Sequence, residues 1–159
     1  MARFNLLRKL DILLGRFCSI ASILSKQKIT QTTNYKKILL IKLWGLGNLT
    51  VIWPLINRIK EKYPQSQILF LTFETNREFL ERNKNIDRII CLKITRNIFK
   101  IMTLFLSLLR KLNKEKVDLV INFETFNNAA ALFSYLIGAQ ERIGLHNKYE
   151  KLFYTNCQS

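Results

Sequence analysis

Apolar residues along this chain follow two alternating rhythms. From residue 36 onward, short unbroken apolar runs alternate with longer stretches whose apolar positions recur every three or four residues. Lys37–Leu43 (KILLIKL) has strand length and leads into Gly45-Leu-Gly47. Residues 49–63 then show helical spacing, with Asn48 expected as the N-cap and Pro54 tolerable only in the first turns. Gln67–Phe73 predicts a second strand, Asn76–Arg82 a short helix, and Ile86–Leu92 a third strand after the turn at Asn83–Asn85. Ile98–Asn113 is apolar on nearly every side, which predicts a heavily buried helix. Val117–Phe123 gives a fourth strand, Asn127–Ile137 a helix, and Gln140–Leu145 a fifth strand after Gly138.

Continuous apolar strands separated by helices imply parallel pairing with helices on both faces. Right-handed crossovers turn that pattern into an α/β fold, a Rossmann-like open parallel sheet of order 3-2-1-4-5. Ligands of such sheets bind outside the carboxyl ends of the strands, where the order reverses between strands 1 and 4. The segments delivered there are Trp44–Asn48, Glu74–Asn76, Glu124–Asn127 and Gly144–His146.

The first 34 residues form a separate unit. Residues 1–37 hold eight basic side chains and one acid, and Leu6, Leu10, Leu13, Phe17, Ile20 or Ala21, and Leu24 recur at helical spacing. This predicts a basic amphipathic helical arm, either lying on an anionic bilayer or packed on the body of the protein. Arg8, Lys9 and Arg16 are its candidate membrane or phosphate contacts. Residues 35–159 make the globular domain.

Composition narrows the partners. The chain has 159 residues, enough for one ordinary domain, and 26 Lys plus Arg against 11 acids give a formal charge of +15. That excess favours an anionic partner: nucleic acid, phospholipid or a phosphorylated substrate. Against nucleic acid, no RNP-like aromatic string, zinc knuckle or helix-turn-helix stands out. Three scattered cysteines, Cys18, Cys91 and Cys157, supply no disulfide framework, which suits a reducing cytoplasm. A single histidine, His146, argues against a metal centre. Apolar runs are too short to cross a bilayer, since Ile101–Leu109 is bounded by Lys100 and Arg110. A cleavable leader is not expected either.

The Gly45-Leu-Gly47 loop can bring backbone amides close to a ligand. A dinucleotide fingerprint would need glycine where Thr50 stands, and no phosphate-loop motif occurs. The wider pattern is more specific. ILLIKLWGLGNLTVIWPLINRIKEKYPQSQILFLT, NKNIDRIICL and KVDLVINFETFNNAAALFSYLIGAQERIGL occur in that order between about Lys36 and Tyr154. Together they resemble glycosyltransferase family 9, the ADP-heptose:lipopolysaccharide heptosyltransferases, over its N-terminal domain only.

The resemblance implies half of a GT-B fold, the acceptor-side domain of an inverting, metal-independent glycosyltransferase. The donor, by family default ADP-heptose, would be bound by a C-terminal domain absent from this sequence, and no other cofactor is implied. A glycolipid acceptor, an anionic membrane surface and a separate C-terminal half are the implied partners. The implied location is cytoplasmic and peripheral, at the inner face of the inner membrane. The family places a catalytic Asp where this chain has Asn48, and an amide cannot act as a base. Glu124, ending strand 4, is then the candidate base, or else a carboxylate that orients loop amides or pairs with a cation. Trp44, Gly45, Gly47, Asn48, Glu74 and Asn127 are the candidate substrate contacts. Lys93, Arg96 and Lys100, with the basic residues up to Lys116, are candidate phosphate or headgroup contacts, or a solvated rim. The alternative to an enzyme domain is a noncatalytic acceptor- or membrane-binding remnant.

Overall fold

In a computed structural model, the structure describes residues 34–93, 98–124, 128–145 and 154–158. The arm lies outside the described residues, as do Arg96, the Thr125–Asn127 tip and His146. Strand β1 (Lys37–Ile41) leads to helix α1 (Leu46–Lys62) and strand β2 (Gln67–Phe73). A short 3-10 turn (Glu74–Asn76) and helix α2 (Arg77–Leu80) carry the chain to β3 (Arg88–Leu92). Helix α3 (Ile98–Glu115), β4 (Leu119–Asn122), α4 (Asn128–Leu136), β5 (Glu141–Leu145) and β6 (Asn156–Gln158) complete it.

All strand pairs are parallel, and the order is β3-β2-β1-β4-β5-β6. The expected 3-2-1-4-5 arrangement is present, extended by a sixth strand that the apolar pattern did not signal. β1 is central and buries both of its faces. Ile38 and Leu40 pair in register with Ile68 and Phe70 and point to the layer holding α1 and α2. Leu39 and Ile41, with Leu69 and Leu71, point to the layer holding α3 and α4. Burying each such side chain contributes on the order of 1.5–3 kcal/mol, so a one-residue slip, which exchanges the two faces, is heavily penalised.

Two helices depart from expectation. α1 begins at Leu46 with Gly45 as its N-cap residue, so Asn48 sits inside the first turn, exposed, and caps nothing. Gly45 has φ 85°, a conformation that supplies the sharp strand-to-helix turn by itself. Pro54 therefore falls mid-helix. The hydrogen bond it forgoes would end on the carbonyl of Thr50, and both residues are exposed, so water can replace it. α3 is not buried all round. Leu108, Leu109 and Leu112 are buried and Phe105 is half-buried, whereas Thr103, Leu104, Leu106, Ser107, Arg110, Lys111 and Lys114 are exposed.

The amino ends of the strands are tied by ion pairs. Glu115 accepts from Lys37 Nζ at 2.7 Å and from Arg88 Nη2 at 2.8 Å, and these two cations hold its carboxyl down to about pKa 2. Asp118 accepts from the backbone amides of Lys36 and Lys37, both at 2.8 Å. Since Glu115 is depressed in the folded state, its contribution is complete above the ordinary carboxylate pKa of about 4.3 and is lost as pH falls toward 2. Glu115→Gln is expected to lower stability at pH 7, and denaturant titrations should show the gap to the parent closing between about pH 4.5 and 2.

Candidate functional site

The β1–α1 loop leaves the sheet where the strand order reverses, and a carboxylate from β4 holds it. Glu124 Oε1 accepts the backbone N–H groups of Leu43 at 2.7 Å and Trp44 at 3.0 Å. The same oxygen lies 3.3 Å from Lys42 Nζ, which also donates to the Phe123 carbonyl at 3.1 Å. Lys42 and Glu124 are each 5% exposed, so this is a buried ion pair in which both charges gain further hydrogen bonds. Such extra bonds are what make a desolvated pair tolerable.

Support comes from both sides. Asn76 Nδ2 donates to the Leu43 carbonyl at 3.0 Å and to Thr72 Oγ1 at 2.9 Å, tying the loop to β2. On the other side, Asn122 Oδ1 accepts the Glu124 amide at 3.0 Å, and Asn122 Nδ2 donates to the Tyr154 hydroxyl at 2.6 Å. The Tyr154 ring lies against Gly144, where a Cβ would stand 2.3 Å from ring carbons. Thr155 closes the same edge, its amide donating to the Arg142 carbonyl at 2.9 Å and its Oγ1 accepting the Arg142 amide at 2.8 Å. The buried Arg142 guanidinium donates to the Ala139 carbonyl at 2.7 Å, and burial lowers its pKa.

Trp44 projects from the held loop, 44% exposed, with its ring edge-on to Phe73 at 4.6 Å. Gly45 and the first helical turn with Gly47 and Asn48 follow it in the open, and beyond the local backbone nothing lies within 4 Å of where a Gly47 Cβ would be. Glu74 stands at the end of β2, exposed and 2.7 Å from Arg77 Nε, a bond that lowers its pKa. Nearby Cys91 has its thiol pushed up by burial, which makes it a poor nucleophile. Trp53 packs edge-on against Phe79 at 5.0 Å, and the two line a shallow apolar groove with Thr50 and Pro54. That groove holds no titratable group. Lys93 and Lys100 are exposed at either side of the β3–α3 connection. Among the described residues, no cluster of His, Cys, Asp and Glu could hold a metal, and no helix is long and apolar enough to cross a membrane.

Several supports of the loop escape a sequence reading. Lys42 is a lone cation inside an apolar run, Asn122 is a polar residue at the end of β4, and Asn76 one in the turn after β2. Each anomaly was visible, but only the fold shows that they converge. Tyr154 gave no signal, because its role depends on the hollow above Gly144.

No protein-family model matches the sequence, and neither does any curated protein. Solved structures do. A glycosyl transferase family 9 protein from Veillonella parvula superposes with a TM-score of 0.70 at 24% identity, over 83% of this chain and 38% of that one. ADP-heptose lps heptosyltransferase II from E. coli gives 0.65 at 18% identity, over 77% of this chain and 34% of that one. MurG from Acinetobacter baumannii gives 0.55 at 18%, over 74% and 38%. The chain has a glycosyltransferase-like fold. It spans a little over a third of the length of these proteins, and at such identities the likeness is one of architecture.

The Lys42–Glu124 pair makes a direct prediction. Glu124→Gln keeps the shape but leaves Lys42 charged and buried, so unfolding should become easier by about 3 kcal/mol. Adding Lys42→Met should recover much of that loss, read from a double-mutant cycle in denaturant. Gly144→Ala is expected to cost about 1–3 kcal/mol by displacing Tyr154, checked by thermal melting.

Proposed function

We propose that this chain is the acceptor-side half of an inverting, heptosyltransferase-like glycosyltransferase that acts on a lipopolysaccharide or related glycolipid. The observation that carries the reading is the clamp between β1 and β4. It fixes Trp44, Gly45, Gly47 and Asn48 on one open edge at the switch point of a fold shared with glycosyltransferases. An exposed indole on a rigid loop suits stacking on a sugar face, and the first turn of α1 suits a hydroxyl or phosphate oxygen of the acceptor. Asn127, in the tip that follows Glu124 in sequence, would add a polar contact.

The donor, ADP-heptose or a related nucleotide sugar, is assigned to a second half. The matched glycosyltransferases are more than twice as long as the portion shared with this chain. Exposed Leu46, Val51 and Leu55 beside the loop suit the apolar surface such a half would cover. Location at the inner face of the inner membrane follows from the acceptor.

Within this reading Glu124 is a positioning carboxylate. It is buried, and one of its oxygens already accepts two backbone amides and faces the Lys42 ammonium, so its task is to aim the loop. Asn48 occupies the base position without a proton-accepting group, which favours a second reading in which acceptor binding has outlived transfer.

The test uses the whole chain with core-truncated lipopolysaccharide in detergent micelles. Hydrogen exchange should slow at amides 43–48, Trp44 emission should shift, and Trp44→Ala should weaken binding by about 10-fold. Absence of acceptor binding would sink the proposal, and tight binding of ADP instead would make this the donor side.

A further inference from the structure

We propose that the N-terminal arm lays its apolar stripe in the groove between α1 and α2, an inference that stands apart from the sugar-transfer reading. Thr50 and Pro54 are exposed on this groove, and Trp53 and Phe79 are only half-buried. Two aromatic rings thus meet edge-on at 5.0 Å while still open to water. Thr50, Pro54, Asn57 and Glu61 recur at the spacing of one helix stripe, which prolongs the groove toward the end of α1. Val51 and Leu55 fall on the other flank of α1, at about 100° per residue, so the groove is separate from the surface they form.

Position and reach select the arm as occupant. The described chain starts at Asn34, and Tyr35 is buried among the side chains of the α1 and α2 layer. Its ring stands edge-on to Tyr63 at 5.1 Å, just past the end of α1, and its carbonyl accepts from Ser66 Oγ. The preceding residues therefore join the body on this layer and not on the one holding α3 and α4. From Tyr63 back to Trp53 is about 15 Å along α1, and the connector Lys26–Thr33 spans about 26 Å when extended. A helical stripe from Leu6 to Leu24 is about 27 Å long, close to the roughly 25 Å of α1 itself.

Charge agrees with that placement. At about 100° per residue, Leu10, Leu13, Phe17 and Ile20 share one face, Lys9 and Arg16 fall together on one margin of it, and Arg8 falls on the opposite side. The α2 rim of the groove is acidic. Glu74, Glu78, Glu81 and Asp87 outnumber Arg77, Arg82 and Lys84 there, in a chain of net charge +15. The side chains of Glu78 and Glu81 are 89% and 55% exposed, and their pairs with Arg82 and Arg77 are surface pairs of small worth. Those carboxylates can therefore be shared with Lys9 and Arg16. On the far layer the exposed charges of α3 are all positive, at Lys100, Arg110, Lys111 and Lys114, and would repel the arm.

The experiment uses the full chain carrying Trp44→Phe, so that Trp53 is the indole observed. Leu13→Asp with Phe17→Asp should shift the arm toward the undocked form by about 100-fold, read as stronger acrylamide quenching of Trp53 with an unchanged circular dichroism spectrum. Lys9→Glu with Arg16→Glu should also raise quenching at low salt, and Arg8→Glu should leave it at the parent level. Should the stripe variant misfold, cross-linking replaces it, with Cys18, Cys91 and Cys157 changed to Ser. Phe17→Cys should then close a disulfide with Pro54→Cys and none with Lys111→Cys. Equal quenching in parent and stripe variant, or an absent Phe17→Cys to Pro54→Cys disulfide, overturns the proposal. Flotation of such a chain with phosphatidylserine vesicles would assign the stripe to a bilayer instead. Shielding that fades on dilution overturns it too, by giving the groove to a second copy, as does an equal rise from Arg8→Glu. Acceptor binding is read at the Trp44 loop and does not depend on this outcome.

Discussion

A buried lysine facing a buried glutamate is the constraint around which the open edge of this molecule is arranged. Neither Lys42 nor Glu124 could stand alone at 5% exposure, because an unpaired charge in that environment costs several kcal/mol. Backbone pairing already joins the ends of β1 and β4, and just beyond it the pair forms and the carboxylate takes up two backbone amides of the next residues in the chain. The loop's position is thus a by-product of charge neutralisation. A purely apolar contact there would hold the strands together without specifying where Leu43 and Trp44 point.

That arrangement separates two tasks along the strands. At their amino ends, Lys37, Arg88, Glu115 and Asp118 satisfy one another and finish the fold. At their carboxyl ends, polar groups converge on a segment that is left partly exposed. Loops aimed by a rigid scaffold are where proteins place recognition. The all-parallel sheet explains the division, since only parallel strands gather all their carboxyl ends on one side.

The architecture was legible because strand and helix periods alternate cleanly and the apolar runs are uninterrupted. What misled the reading was local. Asn48 looks like a cap, but Gly45 already makes the turn through a positive φ, so the helix starts two residues before Asn48. The stretch Ile98–Asn113 looks apolar all round in one dimension, yet Leu104 and Leu106 diverge from the buried line by the geometry of the helix. β6 was missed because three residues of mixed polarity carry no period. At the candidate site, adjacency of the 44–48 and 124 segments followed from topology alone. The lysine, the two asparagines and the tyrosine that secure it could be assigned only once distances were known.

The tyrosine resting on Gly144 has a bearing on how the molecule transmits disturbance. Its ring occupies the space a side chain would take, and its hydroxyl meets the asparagine that orients the glutamate. The outermost strand is thereby wired to the central one through a row of three polar contacts and no moving part. A change at Tyr154 therefore reaches the Glu124 amide through Asn122, although the tyrosine belongs to the segment that leads into the outermost strand.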